Sequence, residues 1–433
     1  MSSDSYHNRR HSWNMKETEL NKLLKTDNPF RALKVYNFRL FFIGQFVSLI
    51  GTWIQQLASS WLMYRLTASS MWLGLLAFAA QMPIFLLTPI TGVVADRYNR
   101  HHILMITQIL LCIQSLILGL LVVFGYITPA WLLVLNILQG CFNAFDMPVR
   151  QSFVFDMVAE KELLSNAIAL NSVVFNSTRL IGPPLAGLLV AQFGEGVCFL
   201  INTTTFSGII VALLFMKNVQ YSALSRAGNF KENIKEGFSY VKNHYPIRTV
   251  LILLALISLL GMPYMVLMPV VAVEILHGDS HTLGFLLGTA GFGALIGALY
   301  IASRSHTVRF ENNIAAGSLS LGCGLILFSF SRNLYLSLAL MFIIGISLIV
   351  QMASSNTFIQ SMVEDSMRGR VMSLYTMSFM GMATIGNLFA GAIAQRIGVP
   401  LTLLLSGVGC TIVAILFYKN LGVLKKNIIN YVR

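Results

Sequence analysis

An arginine in the middle of a long apolar run is the first residue of this sequence whose chemistry needs a reason. Arg179 lies in NSTRLIGPPLAG, inside an apolar stretch from 166 to 192. Ionisable groups at membrane depth are costly and read by default as functional. No Asp or Glu falls near the middle of any apolar run, so a cavity holding Arg179 would be positive and would attract anions. The alternative reading is a packing role, with Arg179 held by Asn176, backbone carbonyls or another polar helix. Amides inside apolar runs are further candidates to line such a cavity. Asn136, Gln139 and Asn143 are spaced to share one helical face. Gln45, Gln55, Gln56, Asn171, Gln351 and Asn356 complete the candidate set. Each amide also has a second reading as interhelical glue.

Other chemistries find no support. The five cysteines, Cys112, Cys141, Cys198, Cys323 and Cys410, sit in apolar runs without a CxxC pair. They read as small buried hydrophobes, not as disulfides or metal ligands. No HExxH, GxSxG or paired catalytic carboxylates occur in the apolar runs, and no Walker A sequence occurs at all. The chain is therefore not expected to be an enzyme, and neither a metal nor a cofactor is expected.

The elements that must position these side chains follow from the composition. The chain has 433 residues, of which 56% are hydrophobic and 11% charged, and a mean hydropathy of +0.71. A soluble domain carries about 25% charged residues, so lipid must solvate most of this one. A spanning helix needs about 20 mostly apolar residues. Twelve such spans are predicted, at 38–64, 71–94, 102–124, 129–149, 166–192, 196–216, 248–275, 283–303, 313–331, 334–356, 371–393 and 400–419. A closed barrel is excluded, because the runs are continuously apolar rather than alternating.

The net charge of +13 does not point to nucleic acid, because the basic residues flank apolar spans. Of the 30 Lys and Arg, only Arg65, Arg332, Arg396 and Arg179 fall outside the N-terminal tail, the C-terminus and the loops on that same side. The positive-inside rule then places both termini in the cytoplasm. No secretory signal peptide is read at the start, and the opening segment reads as a cytoplasmic tail with a short amphipathic helix near 15–25.

The chain also repeats itself. Gly182, Ala186, Gly187 and Gly194 match Gly386, Ala390, Gly391 and Gly398 at a constant offset of 204, and SFVFDMV from Ser152 matches TFIQSMV from Thr357 at 205. The fifth span therefore corresponds to the eleventh. A parallel repeat of six spans is the architecture of a transporter with a site near the bilayer midplane. The expected organisation is a tail (1–36), a first six-helix bundle (37–216), a cytoplasmic linker (217–247), a second bundle (248–419) and a C-terminal tail (420–433). The linker holds NFKENIKEGFSYVKNH, an amphipathic helical pattern.

Three motifs carry a family resemblance. GVVADRYNRHH, after the second span, resembles the Gly-x-x-x-Asp-Arg-x-x-Arg signature loop of the major facilitator superfamily through Gly92, Asp96, Arg97 and Arg100. The resemblance implies a conformational latch: Asp96 faces the start of the eleventh span near Arg370 to Ser373, and the arginines pair with an acid at the end of the fourth, for which Asp146 is the candidate. The corresponding loop of the second half, Gly297 to Arg304, lacks the acid. Gly182, Pro183 and Gly187 resemble the Gly-Pro motif of exporters, although Thr178 stands where that motif has a glycine. FDMPVRQSFVFDMV, with the fifth span and the linker, is similar to the subfamily of siderophore exporters and macrolide efflux proteins.

The resemblance covers about 28–420. It implies an all-α membrane protein of twelve transmembrane helices in two pseudo-symmetric bundles, the major facilitator fold. It implies a monomeric secondary transporter in a bacterial inner membrane. That transporter would export a small anionic or amphiphilic metabolite, such as a siderophore or other chelator, by alternating access coupled to protons. Import of a ferric siderophore or nutrient, and macrolide or multidrug efflux, are the alternatives. Its partners would be the substrate, protons and the lipid bilayer.

Overall fold

The computed structural model describes residues 29–158, 161–217, 230–303 and 310–432. The 15–25 helix predicted in the tail lies outside them. The described residues are helical throughout, with no strand among them. In a bilayer every backbone N–H and C=O must be satisfied within the protein, which helices do one segment at a time.

Eleven runs are long and apolar enough to cross a membrane. In chain order they begin with α1 (Tyr36–Thr67), α2 (Ser70–Arg97), α3 (Arg100–Val123) and α4 (Pro129–Met157). The run Lys161–Leu214 is broken by Gly194, whose φ of 76° and ψ of 171° are not helical. It therefore supplies two spans, α5 (161–193) and α6 (195–214). The second half contains α7 (Tyr245–Ile275), α8 (Ser280–Ala302), α9 (Phe310–Phe330), α10 (Leu334–Met362), α11 (Arg368–Ile397) and α12 (Val399–Lys419). A further helix, Leu421–Val432, follows. Among the described residues, twelve spans are thus present.

The repeat has a physical cause at its glycines. Gly398, between α11 and α12, has φ 84° and ψ 157°, nearly the backbone of Gly194. That region is essentially open to glycine alone. The turn that reverses each half at this point requires the residue found at both positions. Other tight turns are set by capping side chains: Thr128, Asp279 and Asn333 accept from backbone N–H groups of α4, α8 and α10.

The helices outrun the apolar segments on the face that bears the termini. Span edges expected at 94, 149 and 356 lie instead at Arg97, Met157 and Met362. Hydropathy detects only the part at lipid depth, whereas the hydrogen-bonded helix continues through polar turns. The signature motif is consequently helical rather than a loop. Gly92 and Asp96 belong to α2, Arg97 ends it, and Arg100 opens α3 after Asn99, which caps it.

The halves meet along two antiparallel seams made by small residues. On α2 and α11, a Cβ at Gly74 would lie 3.0 Å from the Gly391 Cα, and one at Gly391 would lie 2.7 Å from the Ser70 carbonyl. On α5 and α8, a Cβ at Gly187 would lie 3.0 Å from the Gly284 Cα and 2.4 Å from the Ser280 carbonyl. Without a hydrophobic drive between helices in lipid, such close backbone approach is what holds spans together. The linker helix (Phe230–Asn243) packs against the start of α11. Glu236 pairs with Arg370 at 2.9 Å, and the Glu364 N–H approaches the Tyr240 hydroxyl.

Candidate functional site

Between the halves lies a cavity of about 960 Å³, at the upper end of the range for small-molecule sites. Its polar lining comes mainly from the first half, with Gln56 of α1, Asn136, Gln139 and Asn143 of α4, and Arg179 of α5, while α11 of the second half adds Ser373, Thr376, Thr384 and Asn387. Among the described residues that line it, Arg179 is the one charged residue. No carboxylate pairs with Arg179 among the described residues. The hydroxyl of buried Tyr264 on α7, itself without a hydrogen-bond partner, stands within electrostatic range of it. Asn136 spends its amide N–H on the Leu132 carbonyl at 2.8 Å. The cavity thus presents a cation and amide groups in a mostly apolar enclosure.

The cavity is shut at the face away from the termini. There the Tyr64 hydroxyl of α1 donates to Glu274 Oε1 of α7 at 2.5 Å. Ser69 Oγ donates to Gln395 Oε1 at 2.7 Å, and Ser280 Oγ donates to the Gly187 carbonyl at 3.0 Å. Midway along α2 and α11, Thr384 donates to Gln81 at 3.2 Å. Towards the termini the lining continues to Met147, Met372 and Ser373, near the end of α4 and the start of α11. The cavity is therefore asymmetric along the membrane normal.

Of the ten residues expected to line a cavity, five do so: Arg179, Gln56, Asn136, Gln139 and Asn143. The other five do not. Gln55 is fully buried inside the first half, where its amide donates to Gln114 at 3.1 Å and its oxygen accepts from Ser115 and Asn202 at 2.7 Å. Gln45 donates to Asn171 at 2.8 Å and ties α1 to α5. Gln351 is buried and donates weakly to Ser355, while Asn356 accepts from Gln360, one turn along the same helix. The reason is geometric: successive helical residues point about 100° apart, and polarity alone does not separate a cavity face from an interhelical face. Gln56, the neighbour of Gln55, is the glutamine that faces the cavity.

In the latch region, Arg100 pairs with Asp156 at 2.7 Å and not with Asp146. Asp146 is already occupied: Arg150 pairs with it at 2.8 Å, Gln108 donates at 2.6 Å and Thr107 at 3.1 Å. The ten residues from Asp146 to Asp156 span about 15 Å of helix, so one arginine does not serve both. Arg97 is exposed. The side chains of Gly92 and Asp96 lie outside the described residues. Gly182 abuts Trp53, with a Cβ there falling 2.5 Å from the Trp53 Cβ, and Pro183 lines the cavity. The Gly-Pro motif therefore lets α5 approach both α1 and α8.

Comparison with known proteins decides the family. The transmembrane secretion effector family, a major facilitator family, matches residues 27–427. The chain belongs to this family. It is a multi-pass membrane transporter, not an enzyme. Its curated relatives include the staphyloferrin A transporter of Staphylococcus aureus, 25% identical over 88% of this chain and 95% of that one. Macrolide efflux protein A of Streptococcus pyogenes is 23% identical over 84% of this chain and 91% of that one. Among solved structures, a peptide transporter of the POT family aligns at TM-score 0.73 and 12% identity over 90% of this chain and 95% of that one. An inward-facing bacterial homologue of the iron transporter ferroportin aligns at 0.70 and 15% over 88% and 98%. These likenesses support the major facilitator fold.

Sequence reasoning missed the seal made by Tyr64, Glu274, Ser69 and Gln395. Its partners lie 210 or more positions apart, and each sits at a span end, where polar residues are ordinary. It reads the 20 methionines as mostly lipid-facing or packing residues that also suit an adaptable pocket. Five of the six that line the transporter's cavity belong to the second half.

Proposed function

We propose that this transporter exports a small anionic or amphiphilic metabolite of the siderophore class from a bacterial cytoplasm, by alternating access. The observation that carries this reading is the cavity at the interface of the halves, with Arg179 as the one charged residue among the described residues that line it. A guanidinium in a low-dielectric enclosure selects carboxylate or catecholate groups, which it can engage with two parallel hydrogen bonds. The similarity to the staphyloferrin A transporter supports the substrate class. The similarity to a macrolide efflux protein supports the outward direction and keeps drug efflux as the second reading.

The basic residues around the termini support a cytoplasmic location for both ends in the inner membrane. With that orientation the cavity faces inward, ready to load from the cytoplasm. The proposed domain division is the one read from the sequence, and a monomer suffices because the site forms between halves of one chain. Proton coupling is part of the proposal. In it Asp96, Arg97 and Arg100 latch one of the two alternating states. Asp96→Asn is expected to slow turnover at unchanged expression, and unchanged transport would remove the latch role.

The test is untargeted mass spectrometry of medium and cell extracts from iron-starved cells with and without this chain. Loss of an iron-binding metabolite from the medium, with accumulation inside the cells, is expected. An unchanged medium would contradict siderophore export and favour the drug-efflux reading.

A further inference from the structure

The second half contributes a wall of different chemistry to the same cavity. Met262 and Met265 come from α7, and Met372, Met377 and Met380 from α11. Met377 and Met380 line the cavity and keep 39% and 40% of their surface exposed, while Met262, Met265 and Met372 line it from partly buried positions packed against the core. Met262, Met377 and Met380 sit where their helices lose regular geometry. In α7 the α-helix stops at Leu260 and resumes at Tyr264, bracketing Met262. In α11 a π-helical segment, Met377–Gly381, carries Met377 and Met380. Broken and π-helical turns in membrane helices concentrate at binding sites, where they re-aim side chains. A thioether on an unbranched chain is polarisable and adapts its shape, so a methionine surface accepts apolar groups of varied outline. Among the described lining residues none is a histidine, cysteine or carboxylate.

We infer that the cavity has two subsites and takes amphiphilic anions: Arg179 and the amides of α4 hold the charged head, while the methionines of α7 and α11 hold an apolar body. The inference rests on the anion reading of Arg179 for the position of the head. The methionine wall can be tested separately from it. Fully hydrophilic polycarboxylates use only half of such a cavity and are weak ligands.

The experiment measures binding of fluorescent carboxylates with 2, 6 and 10 methylenes between carboxylate and fluorophore, using purified protein in lipid nanodiscs with empty nanodiscs as the blank. For the wild type, affinity is expected to rise with chain length by roughly two- to fourfold per buried methylene until the wall is covered. Replacing Met262, Met265, Met377 and Met380 by Gln is expected to flatten that rise, and replacing them by Leu to keep it. If the fourfold Gln variant does not fold, the α7 pair and the α11 pair are replaced separately, and each is expected to remove part of the slope. A wild type without chain-length dependence, or a Gln variant with an unchanged slope, overturns the two-subsite inference. Arg179→Gln is the control: it is expected to weaken all three probes by a similar factor with the slope intact. A slope that survives with no loss in Arg179→Gln would contradict the anion reading of Arg179 and leave the methionine subsite standing.

Discussion

Among the described residues, the first half of the molecule holds most of its buried polar groups in dense partnerships, although Ser59, Gln108 and Arg150 each keep an unpartnered atom, and the second half leaves more of them single. Gln55, Gln114, Ser115 and Asn202 form one amide and hydroxyl network across α1, α3 and α6. Two buried ion pairs, Arg100–Asp156 and Arg150–Asp146, tie α3 to α4 and brace the end of α4. Among the described residues of the second half, the ion pairs are Arg368–Asp365 and Arg370–Glu236, both partly exposed. Buried polar atoms without partners there include those of Tyr264, Ser318, Gln351 and Ser354. Of its cavity-lining helices, α7 and α11 are interrupted and α8 is not, whereas α1 is helical over its whole length. A repeat that preserves backbone turns, as at Gly194 and Gly398, need not preserve chemistry. Here one copy supplies most of the polar lining, and the other adds five methionines beside Ser373, Thr376, Thr384 and Asn387.

The largest effect that would break this contrast is at the buried ion pair. Asp146→Ala strands Arg150 in a low-dielectric site, a loss of about 3–5 kcal/mol. Asp365→Ala removes an exposed partner and is expected to change stability by about 1 kcal/mol or less. Thermal unfolding of the two variants checks this, and equal losses would erase the distinction between the halves. The seams should behave alike instead. Gly187→Leu and Gly391→Leu each force a side chain against backbone, costing the closed far face about 1–3 kcal/mol. Both are expected to increase labelling of a cavity cysteine at Ser60→Cys, in a background without native cysteines, by a membrane-impermeant maleimide added from that face. An increase in only one would show that the seams are not equivalent. The smallest effect separates neighbours. Gln55→Leu leaves the Asn202 amide without its acceptor and the Gln114 side-chain oxygen without its donor, about 1–3 kcal/mol. Gln56→Leu is expected to stay within about 0.5 kcal/mol in stability while changing transport rates. A stability loss at Gln56 would show that it is part of the core.

The sequence announces some of these features and hides others for physical reasons. The spans, the repeat and the isolation of Arg179 are legible because charge at membrane depth is rare. Gly194 and Gly398 are legible because only glycine fits their backbone. The division of Gln55 from Gln56 is not, because a spanning helix is apolar on nearly every side and its periodicity does not mark which face meets the cavity. The pairing of Asp146 with Arg150 was available as an i, i+4 spacing in DMPVR, but the family resemblance drew Asp146 towards Arg100. The methionine wall depends on where α7 and α11 break, which hydropathy does not encode.

The central claim is that Arg179 makes the cavity an anion site. The most direct test is uptake into everted membrane vesicles of two dansyl probes matched in size, one ending in a carboxylate and one in an amine, by the wild type and Arg179→Gln. Loss of a charge-assisted hydrogen bond is worth about 1.5–3 kcal/mol, so uptake of the acid by the variant is expected to need roughly 10- to 100-fold more probe, with the amine unaffected or improved. An equal loss for both probes would contradict the account and reduce Arg179 to a packing residue.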